Sequence, residues 1–172
     1  MELDCGKCRL RSWDSKDVGS LARHANNRKI WLNLRDRFPH PYTRVDAENW
    51  IKFSLAERPE TSFAIDISGE AVGGFGFELK TDVERFSAEV GYWLGEEFWG
   101  RGICTAALRI ATKFAMESYD LNRILALPFA GNLASIRVLE KAGYVREGLL
   151  QKSAYKDGRF LDEVLYAYVV ER

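Results

Sequence analysis

From Thr61 onward the hydrophobic pattern has a period of two. Phe63, Ile65 and Ile67 alternate, Ser68-Gly69 supplies a turn, and Val72, Phe75 and Phe77 carry the return. That pattern predicts a hairpin. Arg85 to Leu94 predicts a third strand, with Glu89, Gly91 and Trp93 on one face and Val90, Tyr92 and Leu94 on the other. Upstream, Lys7 to Trp13 predicts a short first strand with its arginines facing out, and Asp14-Ser15 caps a helix carrying Val18, Leu21, Ala22 and Ala25. Thr43 followed by Asp46 has the form of a capping box. It opens a helix whose apolar face is Val45, Ala47, Trp50, Ile51, Ser54 and Leu55. The stretch from Asn27 to Tyr42 is irregular and breaks at Pro39-His40-Pro41. After Trp99-Gly100-Arg101-Gly102 the period becomes helical through Ile103, Ala107, Ile110, Ala111 and Phe114. A strand over Leu121 to Leu127 and a helix over Leu133 to Ala142, ended by Gly143, complete a crossover unit. Two extended segments, Tyr144 to Tyr155 and Phe160 to Val170, join at Asp157-Gly158, the signal of a tight hairpin. The expected fold is α/β of the α+β type: one mixed, mostly antiparallel sheet flanked by helices.

A chain of 172 residues fits one domain over 1–172. Hydrophobic residues at 47% exclude a disordered chain, and a formal net charge of +0 supplies no overall field for nucleic acid. Any anion site is therefore local. The acidic start, Met1-Glu2-Leu3-Asp4, lacks the basic and apolar regions of a secretory signal, and no apolar run reaches the roughly 20 residues of a membrane span. The expectation is a soluble cytoplasmic protein. Three cysteines cannot form a complete disulfide framework. Cys5-Gly6-Lys7-Cys8 has the spacing of a zinc knuckle or redox pair, but it precedes a strand and no second cysteine pair follows. Spacing alone assigns it neither role, and no metal is expected.

Gly100 and Gly102 sit where a strand gives way to a helix. Backbone N–H groups of a first helical turn and the positive end of the helix dipole bind anions, and Arg101 adds a charge. A plain glycine turn has the same residues. The three-glycine dinucleotide fingerprint and the glycine loop closed by Lys-Ser or Lys-Thr are both missing.

Ala88-Glu89-Val90-Gly91-Tyr92-Trp93-Leu94, followed by Trp99-Gly100-Arg101-Gly102-Ile103, resembles the acetyl-CoA site of the GNAT acetyltransferase superfamily. The block from Asn132 to Tyr144 resembles its second cofactor-binding segment. Pro41-Tyr42-Thr43 and the late Asp157-Gly158 hairpin narrow the resemblance to the ribosomal-protein N-terminal acetyltransferase branch, RimJ/RimL-like. Trp99 and Cys104 depart from that pattern, and Cys104 exposes the site to thiol reagents.

The resemblance implies an acetyl-CoA-dependent N-acetyltransferase acting by direct attack in a ternary complex. It implies strands that splay beyond Val90, so that Tyr92, Trp93 and Leu94 meet the pantetheine arm. Gly100, Arg101, Gly102 and Thr105 hold the pyrophosphate, Asn132 bonds the pantetheine, and Arg137 and Lys141 reach the remaining phosphate. An amine with a pKa of about 8 to 10 is mostly protonated at neutral pH, so a base helps. Glu89 is the candidate, because the alternative family position holds Ala154. Ser135 is the candidate donor to the departing thiolate. Trp31, Arg35, Phe38, Tyr42 and Tyr155 are the candidate acceptor contacts. The acceptor is a peptide or protein N-terminus or a small amine, with no nucleic acid or membrane partner, and the chain is a monomer or homodimer. The rival reading is an acyl-CoA-binding sensor of the same fold without turnover.

Overall fold

The computed structural model describes residues 1–171, so the final residue of the expected 1–172 domain lies outside the described residues. Eight strands follow the hydrogen-bonded order β1-β2-β3-β4-β5-β6-β8-β7. The chain divides into two compact units: Met1–Gly76 with Tyr92–Ala107, and Phe77–Gly91 with the residues from Leu108 onward.

In the first unit, β1 (Glu2–Asp4) and β2 (Arg9–Ser12) form an antiparallel hairpin around the cysteine motif, one strand more than the pattern predicts. β3 (Ser62–Ile67) pairs with β2 and with β4 (Glu70–Leu79), both antiparallel, with a register shift at Ile65/Asp66. Asp14 caps a 3-10 turn over Ser15–Asp17 that leads into α1 (Val18–Ala25). The irregular stretch contains one short helix, α2 (Arg28–Trp31). In α3 (Arg44–Ala56), Thr43 and Asp46 form the expected capping box.

Two expectations fail here. Arg11 does not face out: its guanidinium is bidentate to Asp17 at 2.7 and 2.8 Å and donates to Asp66 at 2.7 Å, with both carboxylates buried. Three charges removed from water are tolerable only when paired in this way. On α3 the buried stripe is only Ala47, Ile51 and Ser54, a single row at helical spacing, and it packs on a cluster with Trp13, Val18, Leu21 and Ala64. Val45, Trp50 and Leu55 are exposed.

In the second unit, β5 (Ser87–Leu94) begins as a parallel partner of β6 (Arg123–Ala126). β8 (Arg159–Val169) runs antiparallel to β6 and to β7 (Val145–Lys156). α4 (Ile103–Ser118) continues through this unit, and α5 (Leu133–Lys141) ends at Gly143, with φ 94°. Ile124, Leu139 and Tyr144 are buried, and Thr112 Oγ1 and Tyr144 Oη share a buried hydrogen bond of 2.8 Å. The Asp157-Gly158 turn has φ 49° and 76°, the left-handed pair of a type I′ hairpin.

Candidate active site

The first unit builds a glycine loop ahead of α4. Gly100 and Gly102 have φ 73° and 74°, a region costly for other residues, and α4 starts directly afterwards. The first helical bond runs from Ala106 N–H to Gly102 O at 3.1 Å, so the N–H groups ahead of it are the donors a helix start leaves unspent. The loop is anchored along its length. Gly95 N–H donates to Val72 O at 2.8 Å, and the Trp99 indole donates to Leu94 O at 2.7 Å. The tryptophan that departs from the family pattern therefore closes the loop on itself.

The loop's two acids are drawn away by α1 and α2. Asn27 donates to Glu96 at 2.7 Å and Lys29 pairs with the same carboxylate, and together these bonds hold Glu96 below the usual carboxylate range. His24 Nδ1 lies 3.4 Å from Glu97 and its Nε2 lies 2.7 Å from Glu70. The side chain of Arg101 turns back along the loop: its guanidinium donates to Glu97 O at 2.6 Å and lies 5.4 Å over the Phe98 ring. A second cation at the glycines is Lys7, whose Nζ donates to Arg101 O at 2.8 Å. Sequence reading missed Lys7 because 94 positions separate the partners, and no local signal links them.

Tyr92 stacks on Phe75 at 5.8 Å, and Trp93 meets Phe38 edge-on at 5.6 Å. Gly74 makes room for that indole: a Cβ there would lie 2.5 Å from Trp93 Nε1. Leu94 is buried, and its carbonyl is the one Trp99 uses. Thr105 stands half-buried in the first turn of α4. Cys104 is half-buried in the first turn of α4, and burial pushes its thiol up to about 12. Phe38 packs on Tyr42 at 4.8 Å, and Tyr42 is only 6% exposed within the core. That burial corrects Tyr42 as an acceptor contact. Trp31 carries the Arg28 guanidinium 5.3 Å over its ring and lies 5.8 Å from His40, and Arg35 is half-buried, with its carbonyl accepting from Phe38 N–H at 3.0 Å.

The second unit carries the candidate acid-base groups. The parallel register of β5 and β6 runs from Ser87–Arg123 to Glu89–Leu125, and β6 ends at Ala126 while β5 continues to Leu94. Glu89 thus sits at the last paired position, and its carboxylate lies 3.3 Å from Lys80 Nζ with both side chains about a quarter exposed (24%). Asn132 caps α5: its Oδ1 accepts from Ser135 N–H at 3.2 Å, which spends its oxygen and leaves its NH2 group as the donor. Arg137 and Lys141 are exposed along α5, and Lys141 O accepts from Arg109 at 3.1 and 2.5 Å. Tyr155 lies near the β7–β8 turn, 61% exposed, with its ring 5.0 Å from Phe160.

Among the described residues no group of three or more His, Cys, Asp or Glu could hold a metal ion, and no helix is long and apolar enough to cross a membrane.

Residues 7–145 match the family model described as an acetyltransferase (GNAT) domain. The uncharacterized N-acetyltransferase p20 of Bacillus licheniformis is 32% identical over 166 residues, covering 92% of this chain and 90% of that protein. The ribosomal-protein-serine acetyltransferase of Escherichia coli is 28% identical over 109 residues, 63% of this chain and 60% of its own length. Mycobacterium smegmatis RimJ, solved in complex with CoA-disulfide, superposes with a TM-score of 0.84 at 26% identity, covering 94% of this chain and 81% of that one.

Proposed function

The chain belongs to the GNAT acetyltransferase family, and on that footing we propose that it transfers the acetyl group of acetyl-CoA to a primary amine by direct attack in a ternary complex. One observation carries the reading: a glycine loop anchored at Gly95, Trp99 and Arg101 ahead of α4, with its acids drawn off and a lysine brought in. In this proposal the whole chain acts as one catalytic domain.

The residues divide the work. Gly100, Arg101, Gly102 and Thr105 receive the pyrophosphate through backbone N–H groups and the hydroxyl, with Lys7 adding charge. The β5 backbone at Tyr92 and Trp93 bonds the pantetheine arm, while the Leu94 carbonyl is committed to Trp99. Asn132 donates its amide hydrogens to the same arm, and Arg137 and Lys141 attract the remaining phosphate. Glu89 takes a proton from the ammonium, directly or through one water. The neutral amine then attacks the thioester carbonyl carbon, the C–S bond breaks, and the proton lost by the new amide nitrogen reaches the departing CoA thiolate through the Ser135 hydroxyl, which ends as it began. A thiol pKa near 8.5 makes that thiolate a tolerable leaving group, so the serine contributes modestly. Desolvation pushes the thiol of the half-buried Cys104 up, which makes it a poor nucleophile and favours direct transfer over an acyl-cysteine route. Trp31, Arg35, Phe38 and Tyr155 line the acceptor, an amine of a peptide N-terminus or a small molecule.

Calorimetric titration with acetyl-CoA, with NAD and ATP as controls, followed by a screen of amines for thiol release, tests the reading. Selective binding with amine-dependent release supports it. Binding without release for any amine leaves a sensor in place of an enzyme, and no binding by folded protein removes both.

A further inference from the structure

The cysteine motif that spacing left unassigned acquires a geometry in the structure. The β1–β2 register pairs Glu2 with Arg11, Leu3 with Leu10 and Asp4 with Arg9, and its next step sets Cys5 directly opposite Cys8. Cys5 N–H donates to Cys8 O at 2.9 Å, so the two residues face each other just beyond the paired strands, with Gly6 and Lys7 between them in the turn. Directly opposed residues of a hydrogen-bonded antiparallel pair have Cα atoms about 5.5 Å apart and side chains on one face. A disulfide needs about 4.4 to 6.8 Å. Both side chains are buried, and Cys104, in the first turn of α4, is the one other thiol of the chain.

We propose that Cys5 and Cys8 are a reversible dithiol–disulfide site, oxidised by exchange with a low-molecular-weight disulfide. Neither acetyl-CoA nor the transfer reaction enters this inference. Cys5 is the attacking sulfur: the neighbouring Cys8 holds its thiol below the ordinary value while Cys8 itself is pushed up, and Cys5 Sγ lies 3.7 Å from Leu3 O. The Cys5 thiolate displaces one thiol from the small disulfide and forms a mixed disulfide. The Cys8 thiolate then attacks the Cys5 sulfur and releases the second thiol. The chain loses two electrons and two protons, and the small disulfide gains them as two thiols. Access comes through β1, three residues long at the end of the sheet order and therefore easily opened. The turn that the bridge closes carries Lys7 to Arg101 O at 2.8 Å, so the redox site adjoins the glycine loop.

The test equilibrates the folded full chain with oxidised glutathione, quenches with N-ethylmaleimide in denaturant, and reads intact mass and peptide map. The expected product has lost two hydrogens, carries no glutathione and takes one maleimide, at Cys104. Cys104→Ser should lose the same two hydrogens and take no maleimide. Cys5→Ser and Cys8→Ser, each checked for folding by thermal melting, should form no intramolecular bridge. Full maleimide labelling of the wild type, a stable glutathione adduct on Cys5 or Cys8, or loss of the bridge in Cys104→Ser would each overturn the proposal.

Discussion

The loop from Gly95 to Gly102 and the β7–β8 hairpin are both strand-adjacent segments with left-handed turns, yet they are finished differently. The loop's two acids, its indole and the Arg101 carbonyl are bound, by Asn27, Lys29, His24, Leu94 and Lys7. The hairpin has the regular turn its Asp-Gly pair demands, but Tyr155 and Phe160 are exposed at 61% and 67%. A site for a constant ligand can be fixed in advance, because every anchor lowers the ordering cost of binding. A surface that meets a variable partner keeps its aromatic area outside. The two regions accordingly predict different kinetic signatures: changes in the glycine loop move acetyl-CoA affinity, and changes in the hairpin move acceptor use.

The sharpest way to break that contrast is Gly102→Val. A valine at φ 74° costs about 1 to 2 kcal/mol in backbone strain, and its Cβ would stand 3.0 Å from Lys7 Nζ. Acetyl-CoA affinity should fall by about a hundredfold or more in calorimetry, with the fold retained. Next, Glu89→Gln should leave that affinity unchanged and lower kcat by about 10². A pH–rate profile between pH 6 and 9, bracketing an amine pKa of about 8, reads the effect, and full activity throughout would refute the base assignment. Lys7→Ala should weaken acetyl-CoA by about two- to fivefold, the scale of one exposed ion pair, and increasingly less as salt rises. Smallest of all, Tyr155→Ala should leave the melting temperature within the shift of about 0.5 kcal/mol typical of surface sites. It should raise the acceptor KM with acetyl-CoA binding unchanged. A loss of acetyl-CoA affinity in that variant would erase the distinction between the two regions.

Sequence periodicity made most of the fold legible because its signals are local. The Thr43–Asp46 box, the Gly143 helix stop and the Asp157-Gly158 turn each act within a few residues, and each stands where expected. What it missed depends on distant partners. Nothing near Arg11 announces that Asp17 and Asp66, 6 and 55 positions away, will bury it. The apolar count on α3 overstated its core face, because Trp50 and Leu55 look apolar in sequence whether or not anything covers them. At the site, the glycine pair was readable as a phosphate-type loop, while Lys7, the anchors of Glu96 and Glu97, and the burial of Tyr42 are products of tertiary packing.

The sheet order also has a consequence for synthesis. β8, the last strand in sequence, lies between β6 and β7 and pairs with both. As the chain emerges from a ribosome at about 5 to 20 residues per second, β6 and β7 both wait for a neighbour that is translated after them. The second unit's half of the sheet therefore closes only once β8 has been translated, and a nascent chain stalled at the Asp157-Gly158 turn exposes two open strand edges at once.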